Sequence, residues 1–142
     1  VLFFTSAIIV YNNTFYRILR IVEVLNKMAQ IDTLTISQDQ LVEAWAEALP
    51  KLLNESDRVE VKADGADAKA IGICIATAGH SMYSFDFKCT YVDSREVSIT
   101  FVDVEQDGQH VNERTEIIQT LIGDYVRHIH ECAQQLQALT HN

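Results

Sequence analysis

Asp124, His128, His130, Glu131 and Cys132 form the densest group in this chain of side chains able to bind a metal or move a proton. Imidazole, thiolate and carboxylate are the ligands that divalent transition metals favour. On an α-helix, residues four apart share a side, so Asp124, His128 and Cys132 would stack one turn above another. Glu131 would lie beside them and His130 would point nearly the opposite way. Two chemistries fit that spacing. A divalent cation could be held by Asp124, His128 and either Cys132 or Glu131. Alternatively, Cys132 could be a nucleophile with His128 as its base, which requires an exposed thiol of lowered pKa. A plainer reading competes with both. Cys132 falls on an apolar helical stripe, where cysteine is a small core residue. Asp124 and His128 are then an ordinary surface pair. The plainer reading is the expectation: no metal, no cofactor and no catalytic residue, with Asp124, His128 and Cys132 as the enzyme candidates should that reading fail.

Other chemistry is sparser. Cys74 lies on the polar side of its strand and is the better candidate for a reactive thiol, although nothing adjacent would activate it. Asp86, Asp93, Asp103, Glu105 and Asp107 crowd the strand ends, where carboxylates in an acidic chain form a solvated rim more often than a catalytic pair. His80 is expected in an exposed turn. The five glycines are scattered, so there is no phosphate-cradling loop, and no GxSxG motif occurs. Trp45 is either an interface anchor or a core residue, and its place on a helical stripe favours the core.

The candidate ligands depend on the element that carries them. Ile118, Ile122, Tyr125, Ile129, Cys132, Leu136 and Leu139 alternate four and three apart, which predicts one long amphipathic helix. Asn112 is its expected N-cap, with Glu113 and Glu116 favouring the helix start. Such a helix would run roughly 40 Å and overhang a small sheet. The overhang predicts an interface built on Cys132, Leu136 and Leu139.

An earlier helix is signalled by Ser37 with Gln40, a capping box, flanked by Ile36 and Leu41 as a hydrophobic staple. Leu41, Trp45, Ala48, Leu49 and Leu52 form its buried stripe, and Pro50 ends or kinks it. Four strand patterns lie between the helices, at residues 58–63, 69–77, 82–92 and 96–104. Three-residue loops in the last two hairpins would place Ile71, Ile73, Ile75, Phe85, Phe87, Cys89, Val97, Ile99 and Phe101 on one face, whereas two-residue loops would misalign them. Asp107-Gly108 marks a further turn, either an extra short hairpin or the approach to the last helix. The expected fold is α+β: a four-stranded antiparallel meander with an N-terminal helix and a long C-terminal helix on one face, in the order α-β-β-β-β-α. The other face is small and polar.

Residues 1–27 differ from the rest. Arg17, Arg20 and Lys27 against Glu23 give them a net charge of +2, which leaves −11 for the remainder of a chain whose total is −9. The apolar run 2–11 is too short to span a bilayer and a poor match to a signal peptide. Residues 15–28 fit an amphipathic helix. The segment is read as upstream sequence preceding a start at Met28, as a helix packed on the domain, or as a membrane-surface anchor. A first residue other than Met suits a fragment or an alternative start. Residues 28–142 are expected to be a single α+β domain.

The acidic balance argues against nucleic acid and against anionic membrane surfaces for that domain. Three widely spaced cysteines suggest a reducing, cytoplasmic setting. The expected function is protein interaction without catalysis, through self-association as a homo-oligomer, most simply a homodimer. The first alternative is an acidic chaperone or adaptor for a basic or partly unfolded partner. The second is a metal-dependent or thiol enzyme built on Asp124, His128 and Cys132.

Overall fold

The structure, a computed structural model, describes residues 2–77 and 82–141, with the backbone alone for 2–11 and 28–31. It divides into two units, Val1–Thr33 and Leu34–Asn142. The first is a single helix, α1 (Leu2–Ile31), so the boundary expected at 27/28 falls within it. Phe15, Ile18, Leu19, Val22 and Leu25 are exposed along α1. No helix of the described residues is long and apolar enough to cross a membrane.

The second unit opens with α2 (Gln38–Ala48). Its start is the capping box read from the sequence: Gln40 N donates to Ser37 Oγ at 3.2 Å and Ser37 N donates to Gln40 Oε1 at 3.1 Å. Pro50 then tightens the chain into a 3-10 turn, Leu49–Leu52, because proline offers no N–H to continue the α-helical ladder. Leu41, Trp45 and Leu49 recur at four-residue spacing and are fully buried.

Five strands follow in one antiparallel sheet of sequential order: β1 (Arg58–Ala63), β2 (Ala70–Ala76), β3 (Tyr83–Tyr91), β4 (Val97–Gln106) and β5 (Gln109–His110). The expected register holds. Ile71, Ile73 and Ile75 face Cys89, Phe87 and Phe85, and Cys89 and Phe87 face Ile99 and Phe101. The β3–β4 loop has the odd length that this alignment needs: Val92 N donates to Glu96 O at 2.9 Å and leaves Asp93, Ser94 and Arg95 as the loop. The β2–β3 turn, including His80, lies at residues 78–81, outside the described residues.

Three features correct the sequence reading. The meander has five strands, not four. Asp107 (φ 52°) and Gly108 (φ 80°) both adopt left-handed backbone, which closes a two-residue hairpin and adds β5. A bulge opposite Asp86 and Phe87 inserts an extra residue into β4, so that Asp86 faces Asp103 while Phe87 faces Phe101. Strict alternation after Phe101 would bury residue 103. The bulge instead buries Val104 and leaves Val102 59% exposed.

The last helix is the third correction. It is α3 (Glu116–Gln135), it starts at Thr115 rather than Asn112, and it does not run on to Leu139. Asn112 Oδ1 accepts from Arg114 N at 3.0 Å and shapes the preceding turn instead. At Leu136 (ψ 3°) the chain leaves the helix and makes one further turn, α4 (Gln137–Thr140). That turn is tied down: Thr140 Oγ1 donates to Ser94 O at 2.8 Å and His141 Nδ1 lies 2.6 Å from Ser94 Oγ. Anchoring to the β3–β4 loop thus replaces the predicted overhang.

Helices α2 and α3 cover one face of the sheet. Phe85 and Phe87 pack against the Tyr125 ring of α3 at centroid distances of 5.3 and 6.5 Å. The opposite face carries Glu60 and Lys62 on β1, Gly72 and Cys74 on β2, and Ser84, Asp86 and Lys88 on β3.

Candidate functional site

Helix α3 brings Asp124 and His128 together but leaves Cys132 apart from them. Asp124 and His128 line a hollow of about 90 Å³ with Asn54, Asp57 and Tyr125. Tyr125 Oη donates to Asp57 Oδ2 at 3.4 Å, and burial followed by the Asp57 charge pushes its phenol up. His128 Nδ1 lies 3.4 Å from Glu131 Oε2, and Arg127 lies 3.3 Å from Asp124. Cys132 is fully buried on the core stripe, and burial pushes its thiol up to about 12. His130 is turned toward a different hollow, beside Arg95 and Val97. Among the described residues, no group of three or more His, Cys, Asp or Glu side chains is placed to hold a metal ion.

The open face of the sheet holds a larger feature, a shallow groove of about 490 Å³. Gly72 and Cys74 lie along its floor, and Glu60, Asp64, Asp86, Lys62, Lys88 and Val102 line it. The strand register makes Glu60, Cys74, Asp86 and Asp103 one row across four strands. Lysines offset part of this charge: Lys62 lies 3.4 Å from Glu60, and Lys88 lies 3.9 Å from Asp64. Asp103 Oδ1 lies 2.9 Å from His110 Nδ1. Cys74 Sγ lies 3.2 Å from Ser84 Oγ. Its thiol is pushed up by burial, against a smaller lowering from the Ser84 contact. A raised thiol is mostly protonated at neutral pH and a poor nucleophile.

A serine and a histidine also meet where the chain returns to the β3–β4 loop, but in an unreactive order. Arg95 Nη2 lies 2.7 Å from His141 Nε2. A guanidinium only donates, so Nε2 must accept and the ring proton sits on Nδ1. Nδ1 then donates to Ser94 Oγ. The lone pair that a catalytic base needs is occupied, and Ser94 is fully buried. This is a latch for the end of the helix.

The residues expected at an interface are placed unequally. Cys132 has no exposed surface, Leu136 is half-buried, and Leu139 is 40% exposed. Trp45 is a core residue whose Nε1 donates to Tyr91 Oη at 3.0 Å. Three features had no signal in the periodicity of the chain: the Ser94–His141 latch, the β4 bulge, and Gln38. The Gln38 Nε2 amide donates to three carbonyls of the β1–β2 loop: Asp64 O at 2.8 Å, Asp67 O at 3.0 Å and Ala70 O at 2.9 Å. A capping-box neighbour three residues before a leucine was the only available hint.

The class these observations define is an α+β domain whose antiparallel sheet is sealed on one face by α2 and α3 and, among the described residues of the second unit, open on the other. Comparison with known protein families, with characterised proteins and with solved structures finds no match to this chain.

Proposed function

We propose that this chain is a protein-interaction domain that works as a homodimer, in a reducing, cytoplasmic setting suited to its three free thiols. The observation that carries the reading is the asymmetry of the sheet. One face is closed by α2 and α3, while the other face and one long edge carry no covering element among the described residues of the second unit. The side chains best suited to chemistry point away from catalysis: Asp124 and His128 line a hollow that excludes Cys132, whose thiol is buried. Light scattering at high micromolar concentration tests it. A mass of twice the chain is expected. A single chain mass at every concentration would sink the dimer.

A second reading has its own observation, the carboxylates Glu60, Asp64 and Asp86 around the open-face groove. In it, the groove takes a basic segment of a protein partner, drawn by charge complementarity to a chain of net charge −9. A fluorescent Lys-rich peptide should bind in low salt and lose affinity in the Glu60→Gln/Asp86→Asn variant. The Glu43→Gln/Glu47→Gln variant removes as much charge from α2 and should leave binding unchanged. Equal loss in both variants would reduce the effect to net charge and remove the groove.

A further inference from the structure

We propose that two copies of this chain pair through the outer edge of β4, antiparallel and about a twofold axis near Ile99, to make one continuous sheet. The proposal rests on the homodimer reading above and supplies its interface.

The backbone geometry comes first. Val92 N donates to Glu96 O, so Glu96, Ser98 and Thr100 turn their backbone groups toward β3. Val97, Ile99 and Phe101 turn theirs the other way, by the alternation of an antiparallel ladder. On that outer side β5 pairs only with Glu105 and Gln106. Among the described residues, no strand covers residues 97–101 there.

Side chains on this edge are left in the same state. Phe87 and Cys89, one strand inward, are 2% and 0% exposed, yet their partners Phe101 and Ile99 are only half-buried. Residues 97–102 read Val-Ser-Ile-Thr-Phe-Val, without a charge, a proline or a glycine. Free sheet edges are normally guarded by charge, proline or a bulge against unwanted pairing. The opposite edge has that protection: β1 alternates Arg58, Glu60 and Lys62. On β4 the bulge comes only after Phe101.

Charge and shape select a second copy as the occupant. A chain of net charge −9 repels itself over most of its surface, and this uncharged strip is where two copies approach at least cost. With Ile99 on the axis, Val97 faces Phe101 of the second copy and about six backbone hydrogen bonds form across the seam. Arg95 of each copy then falls near Asp103 of the other, an opposite-charge pair at each end. Helix α3 adds apolar surface on the same flank. Leu121 and His128 look toward the hollow beside Leu53, and His130 and Ala133 toward Val97. Helical spacing therefore puts the half-buried Ile122 and Val126 on the β4 side. The twofold arrangement is isologous and stops at two, because each β4 edge is used once.

The test uses exposed positions that leave the core untouched. Ser98 and Thr100 are exposed, and pairing would set each opposite the other across the axis. Ser98→Glu/Thr100→Glu should fold as wild type by circular dichroism and weaken dimerisation roughly tenfold or more through facing like charges. Mixing it with Ser98→Lys/Thr100→Lys should restore dimers, now mixed. Backbone amides of Ile99 and Phe101 should exchange slowly in concentrated wild-type protein and rapidly on dilution. Unchanged dimerisation in the Glu variant, with amides that exchange fast at all concentrations, overturns this interface and leaves the dimer reading standing. Loss of the dimer in Leu139→Asp instead would locate the contact on the helix tail. A wild-type protein that is monomeric throughout overturns both.

Discussion

The Trp45 indole and the Tyr91 phenol meet in the middle of the core, joined by a 3.0 Å hydrogen bond and with their rings edge to face at 6.4 Å and 82°. Both residues are sealed from water, and burial pushes the Tyr91 hydroxyl well above its ordinary value. The bond links α2 to β3 across the interior. Tyr91→Phe leaves the indole N–H without a partner and should cost about 1–3 kcal/mol. Trp45→Phe should cost more, since it adds a cavity to an unpaired hydroxyl. Urea denaturation with unchanged m-value would register both, and a double variant whose cost equals the sum of the singles would mean that the pair is not coupled.

Gln38 holds the β1–β2 loop by its side-chain amide. Gln38→Ala should destabilise the domain by about 1–2 kcal/mol and speed amide exchange at residues 66–69. Gln38→Glu is expected to be worse, because a carboxylate faces the carbonyls of Asp64, Asp67 and Ala70 with no proton to donate. A Glu variant as stable as wild type would show that the loop holds itself.

The latch at the end of α3 predicts a local effect. His141→Ala removes the contacts to Ser94 Oγ and Arg95 Nη2 and should free residues 137–141 to exchange rapidly. Global stability should fall by no more than about 1 kcal/mol, the usual net worth of one such bond. Unaltered exchange in that segment would assign the anchoring to Thr140 alone.

Asp93 makes the β3–β4 loop sensitive to acid. Its carboxylate accepts from Arg95 N at 2.8 Å and Glu96 N at 2.7 Å, and these two bonds hold its pKa below the ordinary carboxylate value. A depressed pKa means that the folded state favours the ionised form. The stabilisation is complete above the unfolded-state pKa and is lost as pH falls through the lower, folded-state value. Asp93→Asn should therefore reduce the thermal midpoint at neutral pH and show less change on acidification than wild type. Parallel acid profiles for the two proteins would contradict this assignment.

The three thiols should differ in reactivity. Cys89 and Cys132 are fully buried, and burial pushes both up to about 12. Cys74 is partly accessible but also raised. An Ellman titration of native protein near neutral pH should modify Cys74 slowly and the other two only after denaturation. Rapid labelling of Cys132 in the folded protein would reopen the thiol-enzyme reading.

Local chemistry made much of this fold legible. Ser37 and Gln40 announce a capping box because its bonds span three residues, and Pro50 stops a helix because of what its own ring lacks. The alternation of Phe85, Phe87 and Cys89 set the register of the sheet, since a slip of one residue would have put these side chains on the polar face. The candidate site was only half legible. Spacing put Asp124, His128 and Cys132 on one side of a helix, but it could not say that the edge of the buried stripe passes between His128 and Cys132. That edge is drawn by the neighbours, Leu53 and Asp57 on one side and the Cys89 strand on the other.

Composition and periodicity alone thus determined an acidic α+β domain whose antiparallel sheet has one apolar face, because period-two and period-3.6 patterns are properties of single elements. Tertiary structure decided where α3 ends, which residue of β4 is set aside by the bulge, which histidine binds a serine, and which sheet edge is left bare. Each of those depends on groups far apart in the chain: Ser94 on His141, Asp86 on Asp103, Gln38 on the carbonyl of Ala70. Contacts of that range arise only once the core has brought their elements together, and no local pattern encodes them.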